Sequence, residues 1–306
     1  MNKKLAEAIA GLIPRKMARN RWRGILRYGP VNAIKLMRKL RREESVPTSC
    51  YLAICAIAKD EGDYFREWVE WHRKLGVEKF YIYDNESTDN TKEVLAPYIE
   101  SGLVEYTFLP GERKQLFSYD VCLEKHRLEA RWIAFIDLDE FIVPIKDKAI
   151  PDFLKRFEDF PVVEINWLVY GSSGIKEKKE GNVIERFRKH SLPDHRFNRL
   201  VKSIVNPRRV FTMTGCHEAA RISGKAADSH GVPIRTNFRD REPQHDVIRI
   251  NHYAVRSYEE FVEKQARGRA SGKARTINID YFNSYDLNDI EEDKVMDEYI
   301  ARFKEE

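Results

Sequence analysis

Three carboxylates follow an apolar run in "WIAFIDLDEF": Asp137, Asp139 and Glu140 come directly after Ile136. In extended backbone, residues two apart point to the same side. Asp137 and Asp139 are therefore expected to share a side, with Leu138 turned into the core. Carboxylates held together repel, and each raises the other's pKa unless a cation lies between them. A hard divalent ion, Mn²⁺ or Mg²⁺, meets that need and keeps positions open for phosphate oxygens. A solvated acidic turn is the plainer alternative. Two more polar clusters, "AKDEGD" (58–63) and "DNESTD" (84–89), also follow apolar runs.

These clusters need a scaffold that brings them together. "YLAICAIA", "EKFYIYD", "LVEYTFL" and "RWIAFID" read as strands starting near residues 51, 79, 103 and 132. Helical patterns separate them. In "DEGDYFREWVEWHRKLG", Phe65, Trp68, Val69, His72 and Leu75 line one face, and Gly76 closes the helix. "KEVLAPYIESG" reads as a helix broken by Pro97, and "QLFSYDVCLEKHRLEA" as a third helix. Strands alternating with helices predict right-handed βαβ units and an α/β fold with a mostly parallel sheet covered on both faces. Ligands in such sheets bind beyond the carboxyl ends of the strands. All three polar clusters fall there.

The chain has 306 residues and a net charge of +5, but the charge is uneven. Residues 1–42 carry 13 Lys or Arg against the single acid Glu7, so the remainder is net acidic. Within this arm Ile34, Met37 and Leu40 recur at roughly helical spacing among Lys35, Arg38, Lys39, Arg41 and Arg42. Gly29-Pro30 divides the arm into two short helices. A basic amphipathic helix suits an anionic membrane surface; packing on the body is the alternative. The arm is expected to be dispensable for folding. An acidic body argues against nucleic acid as a partner.

No apolar run is long enough to cross a membrane, and the opening residues do not form a secretory signal. Cys50, Cys55, Cys122 and Cys216 lack CxxC spacing and are expected to be reduced. The chain is thus expected to be cytoplasmic, peripheral on the inner face of a membrane. Three segments are expected: a basic helical arm over 1–49, the α/β domain over 50–275 and an acidic helical tail over 276–306.

The run from Tyr51 to Pro144 resembles the nucleotide-sugar-binding half of a GT-A glycosyltransferase of family 2. "AIAKDEGDYFREWVEWHRKLGVEKFYIYDNESTDNT" is similar to its opening, and "WIAFIDLDEF" to its metal-binding DxD. "EINWLVYGSSG", "RLVKSIVNPRRV" and "INHYAVRSYEEFVEKQARGRA" resemble the subgroup related to glycosyltransferase family 92. The resemblance covers about residues 51–270. It implies a metal-dependent transferase that moves a sugar from a nucleotide-sugar donor, a UDP-sugar, to a glycan or glycolipid hydroxyl with inversion.

Carried over by position, the resemblance assigns Asp84 to the base or ribose, with Asn85 and Asp89 shaping its turn. Lys59 and Glu61 would edge the nucleoside pocket. Gln115 and Tyr119 would approach the diphosphate or sugar. Asp137 would sit near ribose or metal, Asp139 would ligate the metal, and His252 would be a further metal or diphosphate contact. Trp167 could stack on a sugar face, and Gly171 and Gly174 would admit ligand close to the backbone. His195 and Arg196 are weaker acceptor-side candidates. Lys264, Arg267 and Arg269 would face the diphosphate or an anionic acceptor. An inverting transfer needs a base for the acceptor hydroxyl. Glu218 and His217 in "TMTGCHEAARI" are its candidates, although the usual Glu-Asp pair is absent. Two other readings are a nucleotidyltransferase, disfavoured by the acidic "KDEGD" loop, and a non-catalytic membrane-surface scaffold.

Overall fold

"CYLAICAIA" is apolar at both parities, so a strand made from it has no face for solvent and belongs inside a covered parallel sheet. The computed structural model describes residues 21, 22, 24–26, 28–268, 278–291 and 293–305, and places this stretch there. Helix α1 (Pro30–Arg42) precedes β1 (Cys50–Ala58), α2 (Gly62–Lys74), β2 (Lys79–Asp84), α3 (Thr91–Glu100), β3 (Val104–Phe108), α4 (Gln115–His126) and β4 (Ala130–Phe135). These four strands pair in parallel in the order β3-β2-β1-β4. Leu52, Ile54 and Ala56 face one side with Trp68 and Val69 of α2. Ala53, Cys55 and Ile57 face the other with Tyr119 and Leu123 of α4. Phe80 and Leu95 are fully buried; burial of each such side chain stabilises by about 2 kcal/mol.

The second half extends the same sheet. β5 (Glu140–Pro144), α5 (Ile150–Leu154), β6 (Val162–Val169), α6 (Val183–Arg186), β7 (Val201–Val205) and β10 (Ile248–His252) complete the order β3-β2-β1-β4-β7-β6-β10-β5. β7 runs antiparallel to β4 and β6, and β5 antiparallel to β10. β8 (Val210–Met213) and β9 (Ala219–Arg221) form a separate ribbon. Helices α7 (Tyr258–Arg267), α8 (Ile279–Tyr285) and α9 (Lys294–Glu305) follow. The mostly parallel, helix-flanked sheet expected of a GT-A fold is the one present.

Several local expectations change. Pro97 does not break α3, which runs through it. Pro97 is exposed, so water can satisfy the carbonyl that loses its partner. Gly171 admits the chain itself and not a ligand: a Cβ there would lie 2.5 Å from Asn288 Oδ1 and 2.6 Å from Leu287 O. The C-terminal segment packs into the main core through Met296 and Tyr299, and the Tyr299 hydroxyl donates to Pro144 O at 2.7 Å.

Helix α1 seats Ala33 and Leu36 beside Phe211 and Ala220 of the ribbon. The Arg208 guanidinium donates to the carbonyls of Glu43 (2.8 Å) and Val46 (2.6 Å) just beyond it. The outer stripe of the arm therefore differs from the expected one. Leu40 is buried, while Val31 and Ile34 are exposed.

Candidate active site

The polar clusters gather because their strands end at one edge. The β1–α2 loop and the β2–α3 loop are clasped together. Asp60 N donates to Ser87 Oγ (2.8 Å), Thr88 N to Asp60 Oδ1 (2.7 Å) and Gly62 N to Asp89 Oδ2 (2.8 Å). Asp60 takes a left-handed backbone, φ 49°, which Asp tolerates better than most residues. Beside the loops lies a cavity of about 730 Å³, bordered by Lys59, Glu61, Gln115, Asp137, Asp139, Trp167, His217, His252 and Lys264.

The stretch after β4 is not extended. Residues 137–139 turn, with Glu140 N donating to Asp137 O at 3.1 Å. The rule that residues two apart share a side does not apply to a turn, and the two aspartates part company. Asp137 Oδ2 accepts from Lys202 Nζ at 2.6 Å, and its Oδ1 from Gln115 at 3.1 Å and Tyr119 at 3.5 Å. Asp139 Oδ2 accepts from Lys264 Nζ at 2.6 Å and lies 3.6 Å from His252 Nε2. The partner that Asp139 gains is Glu140, not Asp137. Glu140 and His252 are cross-strand neighbours on β5 and β10. Ligand atoms of Asp139, Glu140 and His252 lie within 4.8 Å of one another.

Burial sets the charges of this cluster. It alone would raise the Asp139 pKa, but Lys264 and His252 hold that carboxyl well below the usual range. It pushes Glu140 well above the usual range, although Lys202 pulls the other way. It also lowers His252, against the pull of Asp139. Burial works against the charge of Lys202 too, yet Asp137 and Glu140 together keep its ammonium form well above the ordinary lysine value. Glu140 Oε1 and His252 Nδ1 are buried without a hydrogen-bond partner. Two carboxylates and an imidazole this close, with two of their buried polar atoms unpartnered, fit a divalent cation.

The other candidates fall into two groups. Lys59, Glu61, Gln115, Trp167, His217 and Lys264 border the cavity. Glu61 is ion-paired to Arg256 at 3.2 Å and to Arg267. Trp167 is 6% exposed, its ring packed 4.0 Å from His252 and 5.4 Å from His217 between centroids, so little ring face is left for stacking. His217 Nδ1 lies 2.6 Å from Val201 O and so carries the proton, leaving Nε2 as the acceptor. Burial, helped by Lys202, pushes the His217 pKa down to about 4.

Asp84, Asn85, Asp89, Tyr119 and Glu218 are not among the residues bordering the cavity. Asp84 accepts from Tyr106 Oη and Ser87 N, and Asn85 Nδ2 donates to Leu109 O and Gly111 O. The Glu218 charge acts on Glu164 and Arg221. Arg269 lies outside the described residues.

Sequence reasoning missed Lys202, Arg256, Phe197 and the α8 side chains Tyr281 and Tyr285. Lys202 had a visible signal, since it is a lone cation in the otherwise uncharged strand "VKSIV". Tyr285 stacks on Phe197 at 4.4 Å and Tyr281 packs at a tilt against Tyr285 at 4.6 Å, forming one wall of the cavity. Nothing in local periodicity marks them.

Residues 51–299 match the model of glycosyltransferase family 92. The chain is 25% identical over 242 residues to a glycosyltransferase family 92 protein of Ricinus communis, covering 77% of this chain and 40% of that one. It is 29% identical over 180 residues to the galactan beta-1,4-galactosyltransferase GALS2 of Arabidopsis thaliana, covering 52% and 34%. It is 26% identical over 208 residues to the beta-1,4-galactosyltransferase galt-1 of Caenorhabditis elegans, covering 63% and 44%. The chain thus spans less than half the length of these relatives. Among solved structures, residues 1–349 of S. aureus TarS in complex with UDP-GlcNAc align with TM-score 0.37 and 15% identity, covering 62% of this chain and 61% of that one. The family match runs unbroken from the first strand to the last helix, and the chain belongs to glycosyltransferase family 92.

Proposed function

We propose that this chain transfers a sugar from a UDP-sugar to a glycan or glycolipid hydroxyl with inversion, at the cavity described above. The carrying observation is the convergence of Asp139, Glu140 and His252 with Lys264 at the mouth of a parallel sheet. Relatives named as beta-1,4-galactosyltransferases make UDP-galactose the first donor to test.

Asp139, Glu140 and His252 would hold the Mn²⁺ or Mg²⁺. When bound there, the cation supplies positive charge that neutralises the diphosphate leaving group. Lys264 and Arg267, on one helix face three residues apart, add cationic contacts for phosphate oxygens. Lys59 and Glu61 border the nucleoside end. Of the two candidate bases, His217 is the one that borders the cavity. Its Nε2 is held unprotonated and would take the acceptor proton as the oxygen attacks the anomeric carbon.

The exposed Val31 and Ile34 with Lys35, Arg38, Lys39 and Arg42 extend the proposal to an anionic membrane surface as a partner, at the inner face of a membrane in a cytoplasmic setting.

Calorimetry with UDP and Mn²⁺ tests the site. Asp139→Asn is expected to lose Mn²⁺-dependent UDP binding, and with it sugar transfer, while a melting curve still shows a cooperative fold. Unchanged Mn²⁺-dependent affinity would remove the metal from this site.

A further inference from the structure

Two lysines neutralise the acidic turn, and they differ in one respect. Lys202 lies on β7 with its side chain 1% exposed, bonded to Asp137 at 2.6 Å and lying 3.2 Å from Glu140. It is built into the floor. Lys264 lies on α7 with its side chain 18% exposed; both lysines border the cavity, so exposure is what separates them. Its ammonium touches Asp139 Oδ2 at 2.6 Å and Ala254 O at 2.8 Å. The carboxylate oxygen it covers belongs to the group best placed to hold a cation. An ammonium and a divalent ion cannot share that oxygen without strong repulsion.

We infer that Lys264 is a tethered counter-ion that couples metal binding to donor binding. Without donor, its ammonium occupies Asp139 and weakens the cation site. A nucleoside diphosphate entering the cavity offers phosphate oxygens to Lys264. The side chain is long, and a second contact of its ammonium is a neutral carbonyl, which holds it less strongly than a carboxylate would. Release of Asp139 then opens the carboxylate to the metal, which the same diphosphate also binds. Metal and nucleotide should therefore strengthen each other, reciprocally, beyond what their direct contact provides. Lys202, nearly fully buried and shared between Asp137 and Glu140, holds Asp137 throughout. Lys264 is thus a positioning residue that sets the order of assembly. The inference rests on the cation site proposed above.

The test measures Mn²⁺ binding to the full chain by the electron paramagnetic resonance signal of free Mn²⁺, with and without UDP. Wild type, Lys264→Met and Lys264→Arg are compared, each with a melting curve. The wild type is expected to bind Mn²⁺ weakly alone, and UDP to tighten it by about tenfold or more. Lys264→Met is expected to bind Mn²⁺ alone about tenfold more tightly than wild type, and UDP to add correspondingly less. Lys264→Arg keeps the cation and should behave as wild type. If Lys264→Met folds and binds Mn²⁺ without UDP no better than wild type, the inference is overturned and the metal site stands. Should Lys264→Met not fold, wild-type-like Mn²⁺ binding by a folded Lys264→Gln overturns it equally. If Mn²⁺ binds none of the proteins with or without UDP, the cation site itself fails and takes the inference with it.

Discussion

At the scale of single residues, burial decides which groups are charged. His217 combines a fixed tautomer with a pKa pushed down to about 4. In the proposed role the neutral imidazole is the acting species, so activity should persist down to about pH 4 and fall below it as the ring protonates. An unperturbed histidine would lose activity nearer 6.5. His217→Gln should lower transfer by roughly 10²-fold with UDP affinity nearly unchanged. A pH–rate profile of UDP-galactose turnover, beside UDP calorimetry on the variant, checks both parts. Glu218→Gln serves as the comparison, and full loss of activity there with none in His217→Gln would reassign the base. The simple expectation that Asp137 and Asp139 repel across a shared cation changes at this scale as well. Each already has its own ammonium, so the apo site is paired and not strained.

At the scale of elements, a half-buried carboxylate makes an interface sensitive to pH. Glu67 of α2 accepts from Val183 N at 2.7 Å and Ile184 N at 3.0 Å, tying α2 to the start of α6. Burial raises its pKa from 4.5 to about 7 in spite of those bonds. A raised folded-state pKa means that the protonated form is favoured in the fold. The stabilisation is therefore full below about pH 4.5 and is lost as pH rises through about 7. Glu67→Gln should remove this dependence; its amide keeps one acceptor oxygen where the carboxylate uses both for the two N–H groups, so the pH slope and not the absolute stability is the readout. Urea unfolding at pH 5 and pH 8 measures it. A variant with the wild-type pH slope would show that another group carries the dependence.

At the scale of the whole molecule, charge is segregated. The acidic body carries the cavity, and α1 carries an exposed basic stripe. Among the described residues no helix is long and apolar enough to cross a membrane. Replacing Lys35, Arg38, Lys39 and Arg42 by Ser should release the chain from phosphatidylserine liposomes, with about 1 kcal/mol lost per residue near the surface. Mn²⁺-dependent UDP binding should be unaffected, because none of the four borders the cavity. Equal co-sedimentation of variant and wild type would leave α1 as a packing helix only. Its packing is substantial in any case. The buried Ala33 and Leu40 and the carbonyl clasp of Arg208 join it to the ribbon, so the described part of the arm is integral to the body and not a free extension.

The sequence by itself determined the frame. Four strand-like runs separated by amphipathic helices specify a parallel sheet, because apolar periodicity is local and each run must bury its own faces. It also determined that the polar clusters stand at strand ends, and the family resemblance pointed to Asp139, His252 and Lys264 as candidates for the diphosphate or metal. Only the tertiary structure decided how they pair. That Glu140 faces His252 follows from the register of β5 against β10, and register is a long-range ladder that no local pattern encodes. That Asp137 turns to Lys202 follows from the turn after β4 and from β7 lying antiparallel beside it. The aromatic wall of α8 was illegible for the same reason: nothing local singles out Tyr281 and Tyr285, and only the fold carries Tyr285 against Phe197. A buried charge must find a partner, but the sequence states only the need, and the topology chooses the partner.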